Sequence, residues 1–196
     1  MAVPTVSPDE ILREISHRPY DLPRAPWAMR QTWDDLLFAH WPVDSATLRS
    51  AVPAQLELDQ FDGTAWIGVV PFAMNNIKPR FSPLIFNFLE LNVRTYVTYR
   101  GRRGVLFFSL DASNPLAVEA ARSLFWLPYY HAEMQMQKPN SAYRYLSKRH
   151  DARGPEANLE LSYQPTTAPY NSQAGSIAEF FTERYCLFTA DWRGRL

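Results

Sequence analysis

The chain has 196 residues, of which 46% are hydrophobic and 14% aromatic, enough for one globular domain with its own core; this composition excludes a disordered protein. Lys plus Arg and Asp plus Glu each total 20, so no net charge attracts a polyanion, and nucleic-acid binding is not expected. The single cysteine, Cys186, excludes an intramolecular disulfide, and we expect a cytoplasmic protein without a membrane span or secretory leader.

The N-terminal part is predicted to flank the domain. Ser7, Pro8 and Glu10 form a capping pattern for a short helix that runs to about His17. The next segment, RPYDLPRAPW, has too many prolines for a helix or a central strand and is predicted to be an extended wrap. We therefore expect a single domain, residues 1–196, in which residues 1–32 form this helix and wrap and residues 33–196 form the main body.

The main body begins with predicted strands around one short helix. The run LLFAHWPV indicates a buried strand, and Asp44 is the expected N-cap of a helix that ends before Pro53. The segments LELDQFDG and TAWIGVVPFAM are separated by Asp62-Gly63, a tight-turn signal. This turn predicts that the two segments pair as antiparallel neighbours.

The middle of the chain contains the clearest pattern. The segment FLELNVRTYVTYRGRRGVLFFSLDA alternates apolar and polar residues on both sides of the RGRRG turn, which predicts a β-hairpin. Asn114 and Pro115 then open a predicted helix. Its apolar stripe is expected to face the sheet and consists of Ala117, Ala120, Ala121 and Leu124.

The C-terminal third is predicted to be a meander of strands, YYHAEMQMQ, SAYRYLSKRH and NLELSYQP. A late helix follows, capped by Ser176 and Glu179, and CLFTADW begins a final strand. Many short antiparallel strands with a few helices predict an α+β fold in which the sheet curls into a barrel or a sandwich, and a barrel offers a central pocket.

One predicted strand carries a row of polar side chains. Glu90, Asn92 and Arg94 are two residues apart, so they share one face of the strand at about 7 Å spacing. Such a row can line one end of a pocket and hold a carboxylate or an enolate. The alternative is an ordinary sheet face that is turned to water.

Aromatic and histidine residues provide further candidates. His40 lies among apolar neighbours on its strand. It is either a core histidine whose hydrogen bonds are satisfied or a general base. If PYYHAEM is extended, Tyr129, His131 and Glu133 share one face of the strand and Tyr130 lies on the other. The row of Tyr129, His131 and Glu133 could transfer protons, or it could be an exposed face of the strand. The histidines have no metal-ligand spacing and no GxGxxG motif occurs, so neither a metal nor a cofactor is expected.

Several long motifs in one order resemble the bacterial YqjF-like proteins, among them LLFAHWPVDSATLRSAVPAQLELDQFDGTAWIGVVPF, FLELNVRTYV, LPYYHAEM and FFTERYCLF. That family is similar to the acetoacetate decarboxylase-like superfamily. The resemblance implies a β-barrel cone with flanking helices. The chain stops soon after RYCLF, where relatives continue, so the barrel is expected to lack C-terminal strands. A homo-oligomer in which a partner subunit covers the open edge is one alternative.

The resemblance also assigns roles to the two tyrosines. In acetoacetate decarboxylases a pair of lysines follows the helix and its proline, and the first lysine forms a Schiff base with the substrate. Tyr129 and Tyr130 occupy those two places here, and a phenol cannot form an imine, so Schiff-base decarboxylation is not expected. Glu90 matches the superfamily's pocket glutamate, which favours an inward orientation for the row.

The hypothesis for function is a barrel that binds a small apolar carbonyl compound or organic acid. Arg94 would pair with a carboxylate, and Tyr130, His40 and Asn92 would line the pocket. If the protein is an enzyme, Glu90, Tyr129 and His131 would carry acid and base chemistry on an enolisable substrate, as in a lyase or an isomerase. The alternatives are a ligand-binding protein or sensor without catalysis, and an oligomeric scaffold.

Overall fold

A computed structural model describes residues 6–190, in which the chain forms four helices and ten strands. The helices are α1 (Pro8–Ile11), α2 (Ser45–Arg49), α3 (Pro115–Phe125) and α4 (Ile177–Thr182). The strands are β1 (Met29–Asp34), β2 (Ala39–Val43), β3 (Glu57–Leu58), β4 (Ala65–Pro79), β5 (Phe86–Tyr99), β6 (Arg102–Ala112), β7 (Tyr129–Gln137), β8 (Tyr143–Arg149), β9 (Asn158–Tyr163) and β10 (Leu187–Phe188).

The strands form one long, mostly antiparallel sheet. Its order is β1-β4-β5-β6-β7-β8-β9, with β2 beside β4, β3 beside β5 and β10 beside β6. The ladders of β6 with β7 and of β10 with β6 are parallel. Within residues 6–190 no ladder joins β1 to β9, so the sheet curls without closing, where a barrel was expected.

Both faces of the sheet are covered, and we name them by the residues of β5. Face A bears Glu90, Asn92, Arg94 and Tyr96, and face B bears Leu91 and Val93, because side chains alternate along a strand. Partners in a ladder point to the same side of a sheet. The registers therefore add to face A the residues His40, Gly68, Val70, Phe72, Leu110, Ala112, Tyr129 and His131.

A β-bulge in β6 decides which of its residues reach face A. Opposite the pair Val93 and Arg94, the register skips one residue, Phe108. The extra residue reverses the alternation of β6 at that point, as one inserted residue does in any paired strand. Leu110 consequently points to face A, and Asp111 points to face B.

Face A is covered by the two longer helices. Val118 of α3 packs against Leu110 and Ala112, and Phe180 of α4 packs against Tyr96. Within the predicted stripe of α3, Ala117 and Ala121 are half-buried, but Ala120 and Leu124 are exposed. The stripe prediction is therefore wrong for those two residues, because α3 turns Val118, which is fully buried, toward the sheet.

Face B is covered by β8, which crosses over the other strands. The Tyr145 hydroxyl donates to the backbone oxygen of Glu90 at 2.8 Å, and the Tyr143 hydroxyl donates to Asp35 Oδ1 at 2.6 Å. Arg149, at the end of β8, forms an ion pair with Asp111 at 2.8 Å. These contacts tie the C-terminal meander to the middle of the sheet.

Local signals predicted several elements correctly. The β5–β6 hairpin, the meander of β7, β8 and β9, and the helices that follow Asp44, Asn114 and Ser176 are confirmed. All three of these residues cap their helices, since each side-chain oxygen accepts a backbone N–H of the first turn.

Other expectations are corrected by the structure. Helix α1 has the expected capping box at Ser7 but ends at Ile11, before His17. Strand β1 begins at Met29, so the sheet extends into the segment that was predicted to be a wrap. Strand β3 pairs with β5 and not with β4, and only the bridge of Phe61 with Thr64 remains of the expected hairpin. The last part of CLFTADW, residues 191–192, lies outside the described residues.

Candidate functional site

Glu90 is a buried carboxyl group whose polar neighbours are neutral. Its side chain on face A is 3% exposed, and the Tyr129 hydroxyl donates to Glu90 Oε2 at 2.7 Å. Burial raises the pKa of Glu90 from 4.5 to about 7, and the hydrogen bonds from Tyr129 and Asn92 oppose that rise. Glu90 is consequently poised to gain or lose a proton near neutral pH.

Tyr129 is fixed at the point where β7 enters the sheet. The register sets Tyr129 opposite Leu110, and Arg122 of α3 donates to the Tyr129 backbone oxygen at 2.7 Å. Burial, together with the charge of Glu90, raises the pKa of Tyr129 well above 10, so the phenol keeps its proton. A neutral phenol can donate to the Glu90 carboxylate, which fixes the direction of that hydrogen bond.

Arg94 is a buried cation at the other end of the polar row. It is 6% exposed, and its Nη2 donates to the Tyr96 hydroxyl at 3.3 Å and to the Phe181 backbone oxygen at 3.2 Å. Its Nε is buried without a hydrogen-bond partner among residues 6–190. None of the ion pairs in this part of the chain includes Arg94 or Glu90.

His40 is held in a fully bonded aromatic cluster beside Arg94. Its Nε2 lies 2.6 Å from the Tyr96 hydroxyl, its Nδ1 lies 3.2 Å from the Phe38 backbone oxygen, and its ring stacks on Phe181 at 3.5 Å. Burial, with the charge of Arg94, lowers the pKa of His40 to about 4. The ring is therefore neutral at pH 7, with Nδ1 as donor to Phe38 and Nε2 as acceptor from Tyr96.

Two residues of this cluster were not predicted as site residues. Tyr96 joins His40 to Arg94, and Phe181 covers the His40 ring from α4. The sequence offered one signal, Gly68 inside a strand, which indicates a close approach. A Cβ at Gly68 would lie 2.9 Å from His40 Nε2 and 3.4 Å from the Tyr96 hydroxyl.

The structure brings six of the seven predicted site residues to face A. The Tyr129 hydroxyl donates to Glu90, Asn92 lies between Glu90 and Arg94 in the polar row, and Arg94 and His40 belong to the cluster around Tyr96. His131 shares the face and is half-buried, but no hydrogen bond between residues 6–190 joins its ring to Glu90 or Tyr129. The seventh residue, Tyr130, points to face B.

Tyr130 belongs to a separate buried cluster that sequence reasoning missed. The Arg149 guanidinium lies 4.3 Å from the centre of the Tyr130 ring and forms the ion pair with Asp111. Its Nη1 also donates to the Pro155 backbone oxygen at 3.2 Å. Burial raises the pKa of Asp111, and the bond from Arg149 opposes that rise. The Arg149 guanidinium therefore has its partners within this cluster: the Asp111 carboxylate, the Tyr130 ring and the Pro155 backbone oxygen.

No lysine belongs to the buried polar row of face A. The chain has three lysines, and none is buried: Lys78 is half-buried opposite Arg30 in the ladder of β1 with β4, and Lys138 and Lys148 are exposed. The Lys138 amine donates to the Tyr143 hydroxyl at 2.5 Å. Of the two adjacent tyrosines, Tyr129 donates to Glu90 and Tyr130 points to face B.

Within residues 6–190 no three His, Cys, Asp or Glu side chains are arranged to hold a metal ion, and no helix is long and apolar enough to cross a membrane. An open groove of about 610 Å³ lies beside α4, lined by residues such as His17, Tyr170 and Glu179. Neither Glu90 nor Asn92 nor Arg94 lines this groove, so the buried polar row and not the groove is the candidate site.

Comparisons with known proteins agree with this architecture. The model of the DUF2071 family, described as an uncharacterized conserved protein, matches residues 30–196. The uncharacterized protein YqjF of Bacillus subtilis is 47% identical over 178 residues, which cover 89% of this chain and 72% of that protein. The resemblance to YqjF-like proteins is thereby confirmed.

Solved structures of low sequence identity share the fold. Acetoacetate decarboxylase from Legionella pneumophila has a TM-score of 0.61 at 14% identity, with 100% of this chain and 73% of that chain covered. The enduracididine biosynthesis enzyme MppR, solved with pyruvate, has a TM-score of 0.55 at 13% identity, with 71% and 58% covered. The chain therefore has an acetoacetate decarboxylase-like fold.

Proposed function

This chain belongs to the DUF2071 family, and we propose that its face A binds a small organic acid or carbonyl compound. In this proposal Arg94 binds the carboxylate of the ligand, and Glu90 exchanges a proton with an enolisable carbon. One observation carries the proposal. The Glu90 carboxyl group and the Arg94 guanidinium are both buried in one row, and neither forms an ion pair with the other or with any other charged group among residues 6–190.

Arg94 supplies the argument for an anionic ligand. Burying a cation without a counter-ion is costly. The rings of Phe38 and Tyr96 and two hydrogen bonds from Nη2 offset part of this cost for Arg94, and a bound anion would offset more. A carboxylate can take two parallel hydrogen bonds from a guanidinium, and the free Nε is one of the donors that this pairing needs. The same fold holds pyruvate, a small carboxylate, in MppR.

Glu90 supplies the argument for proton transfer. A general base is most effective when its pKa lies near the working pH, and the pKa of Glu90 is about 7. Tyr129 acts on Glu90 through its hydrogen bond, so it is a positioning residue for the carboxylate. His40 keeps its proton on Nδ1 and is fully bonded, so we assign it to the support of Tyr96 and Arg94 and not to proton transfer.

The reaction class follows from the side chains available. Imine formation needs an amine, and none of the three lysines is buried on face A. We therefore propose chemistry without a Schiff base, such as enolisation, hydration or dehydration. A ligand-binding protein without turnover is the second candidate, favoured by Arg94, because binding of an anion to the buried guanidinium needs no reaction.

A thermal-shift screen of the whole chain tests the binding site. The panel contains short keto acids, hydroxy acids, unsaturated aldehydes and aromatic acids. A ligand at about 100 times its Kd adds about 2.7 kcal/mol, a shift of a few degrees for a domain of this size. Arg94→Met should abolish the shift by carboxylates, whereas Arg144→Met, which removes an exposed arginine, should leave it intact. Absence of any shift, or shifts that persist in Arg94→Met, would contradict the proposal.

The exchange of a ligand's α-hydrogen with deuterated solvent, followed by NMR, separates the two candidates. An enzyme should exchange this hydrogen at a rate that rises with pH through about 7, as Glu90 ionises. Glu90→Gln should abolish the exchange and keep the thermal shift. A protein that binds its ligand but shows no exchange at any pH is a binding protein or sensor.

A further inference from the structure

Two neighbouring side chains of face A have buried polar atoms that lack partners. Asn92 is 5% exposed and Arg94 is 6% exposed. Among residues 6–190, Asn92 Oδ1 accepts no hydrogen bond and Arg94 Nε donates none. A buried polar atom without a partner is rare in native proteins, and at a binding site it indicates the group that a ligand must supply.

The Asn92 amide oxygen lies in apolar surroundings on face A. It is buried and accepts no hydrogen bond among residues 6–190. The ladder partners of Asn92 are Val70 and Leu110, whose side chains have no polar atoms to offer it. Oδ1 consequently needs a donor from elsewhere.

We propose that the ligand is a hydroxy acid whose carboxylate binds Arg94 and whose hydroxyl donates to Asn92 Oδ1. This inference rests on the proposed function, because it names the class of organic acid that the same site binds. The two unpartnered atoms require opposite chemistry: Arg94 Nε needs an acceptor and Asn92 Oδ1 needs a donor. A molecule with a carboxylate and a hydroxyl meets both requirements.

Asn92 and Arg94 leave the backbone about 7 Å from each other, because they are two residues apart on β5. The ligand must therefore bridge two side chains that start at separate points of the strand. We choose a 3-hydroxy acid as the first probe, because a methylene group separates its carboxylate from the carbon that bears the hydroxyl.

A keto acid with the same skeleton fits less well. Its carbonyl oxygen would face the Asn92 oxygen, so two acceptors would meet in a buried site and neither would be satisfied. A saturated acid would leave Oδ1 without a partner. Sites built to bond a hydroxyl discriminate strongly against analogues that lack it, so we expect at least about tenfold weaker binding of both.

The test measures Kd by calorimetry for one matched set of ligands. The probes are 3-hydroxybutyrate in both enantiomers, acetoacetate, butyrate and methyl 3-hydroxybutyrate, with the wild-type chain, Asn92→Leu and Tyr130→Phe. In the wild type, one enantiomer of the hydroxy acid should bind at least about tenfold more tightly than acetoacetate and butyrate. The methyl ester, which lacks the anion, should bind more weakly than the acid.

The variants locate the preference. Asn92→Leu keeps the approximate shape of the side chain and should reduce the preference for the hydroxyl to within about twofold, while carboxylates still bind. Tyr130→Phe alters a side chain that points to face B and leaves the Asn92 oxygen in place, so it should retain the preference. If Asn92→Leu does not fold, the ligand series on the wild type decides alone.

The outcomes separate this inference from the proposed function. Carboxylates that bind in an Arg94-dependent way, with acetoacetate or butyrate as tight as 3-hydroxybutyrate, would overturn the hydroxy-acid inference and leave the proposed function standing. Binding that is absent for every carboxylate, or unaffected by Arg94→Met, would overturn both.

Discussion

Two buried carboxyl groups of the central hairpin, Glu90 on β5 and Asp111 on β6, have opposite surroundings. Asp111 points to face B and is neutralised by Arg149 at 2.8 Å. Glu90 points to face A, where its hydrogen bonds come from a phenol and an amide. A buried acid that is paired with an arginine forms a closed structural unit, whereas one held by neutral donors keeps a proton affinity that can be used near pH 7.

The largest expected effect on stability comes from removing Arg149 from its ion pair with Asp111. Arg149→Met leaves Asp111 buried without its cation, which should reduce the free energy of unfolding by about 3–5 kcal/mol. Urea denaturation at pH 7 measures this loss. In the double variant with Asp111→Leu most of the stability should return, since a buried ion pair is often replaceable by apolar residues. A loss below about 1 kcal/mol in Arg149→Met would show that the pair is not the structural unit described above.

A pH-dependent effect is expected at Glu90. Its folded pKa of about 7 lies above its ordinary 4.5, so the native state binds the proton more tightly than the unfolded state. Between pH 4.5 and 7 the wild type should therefore lose up to about 3 kcal/mol of stability relative to Glu90→Gln, and above pH 7 the difference should remain constant. Urea denaturation of both proteins from pH 4 to 8.5 tests this. A pH-independent difference would show that Glu90 keeps its ordinary pKa.

A smaller effect is expected from the phenol that supports Glu90. Tyr129→Phe removes the 2.7 Å hydrogen bond and should destabilise the protein by about 1–2 kcal/mol. Because this bond lowers the pKa of Glu90, its loss should move the Glu90 transition to higher pH. The measurement is the same pH series of unfolding curves. A midpoint that is unchanged or lower in the variant would contradict the assigned role of Tyr129.

The smallest effect is expected at the adjacent tyrosine, which serves as the matched control. The Tyr130 ring packs on Arg149, and its hydroxyl makes no hydrogen bond within residues 6–190. Tyr130→Phe should change stability by less than about 0.5 kcal/mol and leave ligand-induced thermal shifts unchanged. If it abolished those shifts as Arg94→Met should, face B would have to be part of the ligand site.

The elements that could be predicted are those whose signals are local. The β5–β6 hairpin follows from alternation about one turn, and α3 follows from Asn114 and Pro115. Strand β1 could not be predicted in the same way, because its ladder partner, β4, lies far along the chain and its own segment follows several prolines. The pairing of β3 with β5 was hidden by a strong turn signal at Asp62-Gly63.

In the candidate site, too, local features could be predicted from the sequence and tertiary contacts could not. Alternation along β5 places Glu90, Asn92 and Arg94 on one face, but which face is covered depends on α3 and α4, and the resemblance to a known family provided that orientation. The partners of these residues depend on tertiary structure: Tyr129 is 39 residues from Glu90, and Tyr96 is 56 residues from His40. The periodicity of the sequence gives no information about contacts between residues that are so far apart in the chain.

The bulge at Phe108 gives β6 an unequal tolerance to two kinds of mutation. Replacing Phe108 by another residue changes some packing and leaves the register as it is. Deleting it would let the strand pair without interruption, so every residue on one side of the deletion would move to the opposite face. The Asp111 carboxyl could then point to face A, on the same side as Glu90, and the ion pair between Asp111 and Arg149 would be lost. Over evolutionary time, the length of this segment should therefore vary less readily than its composition.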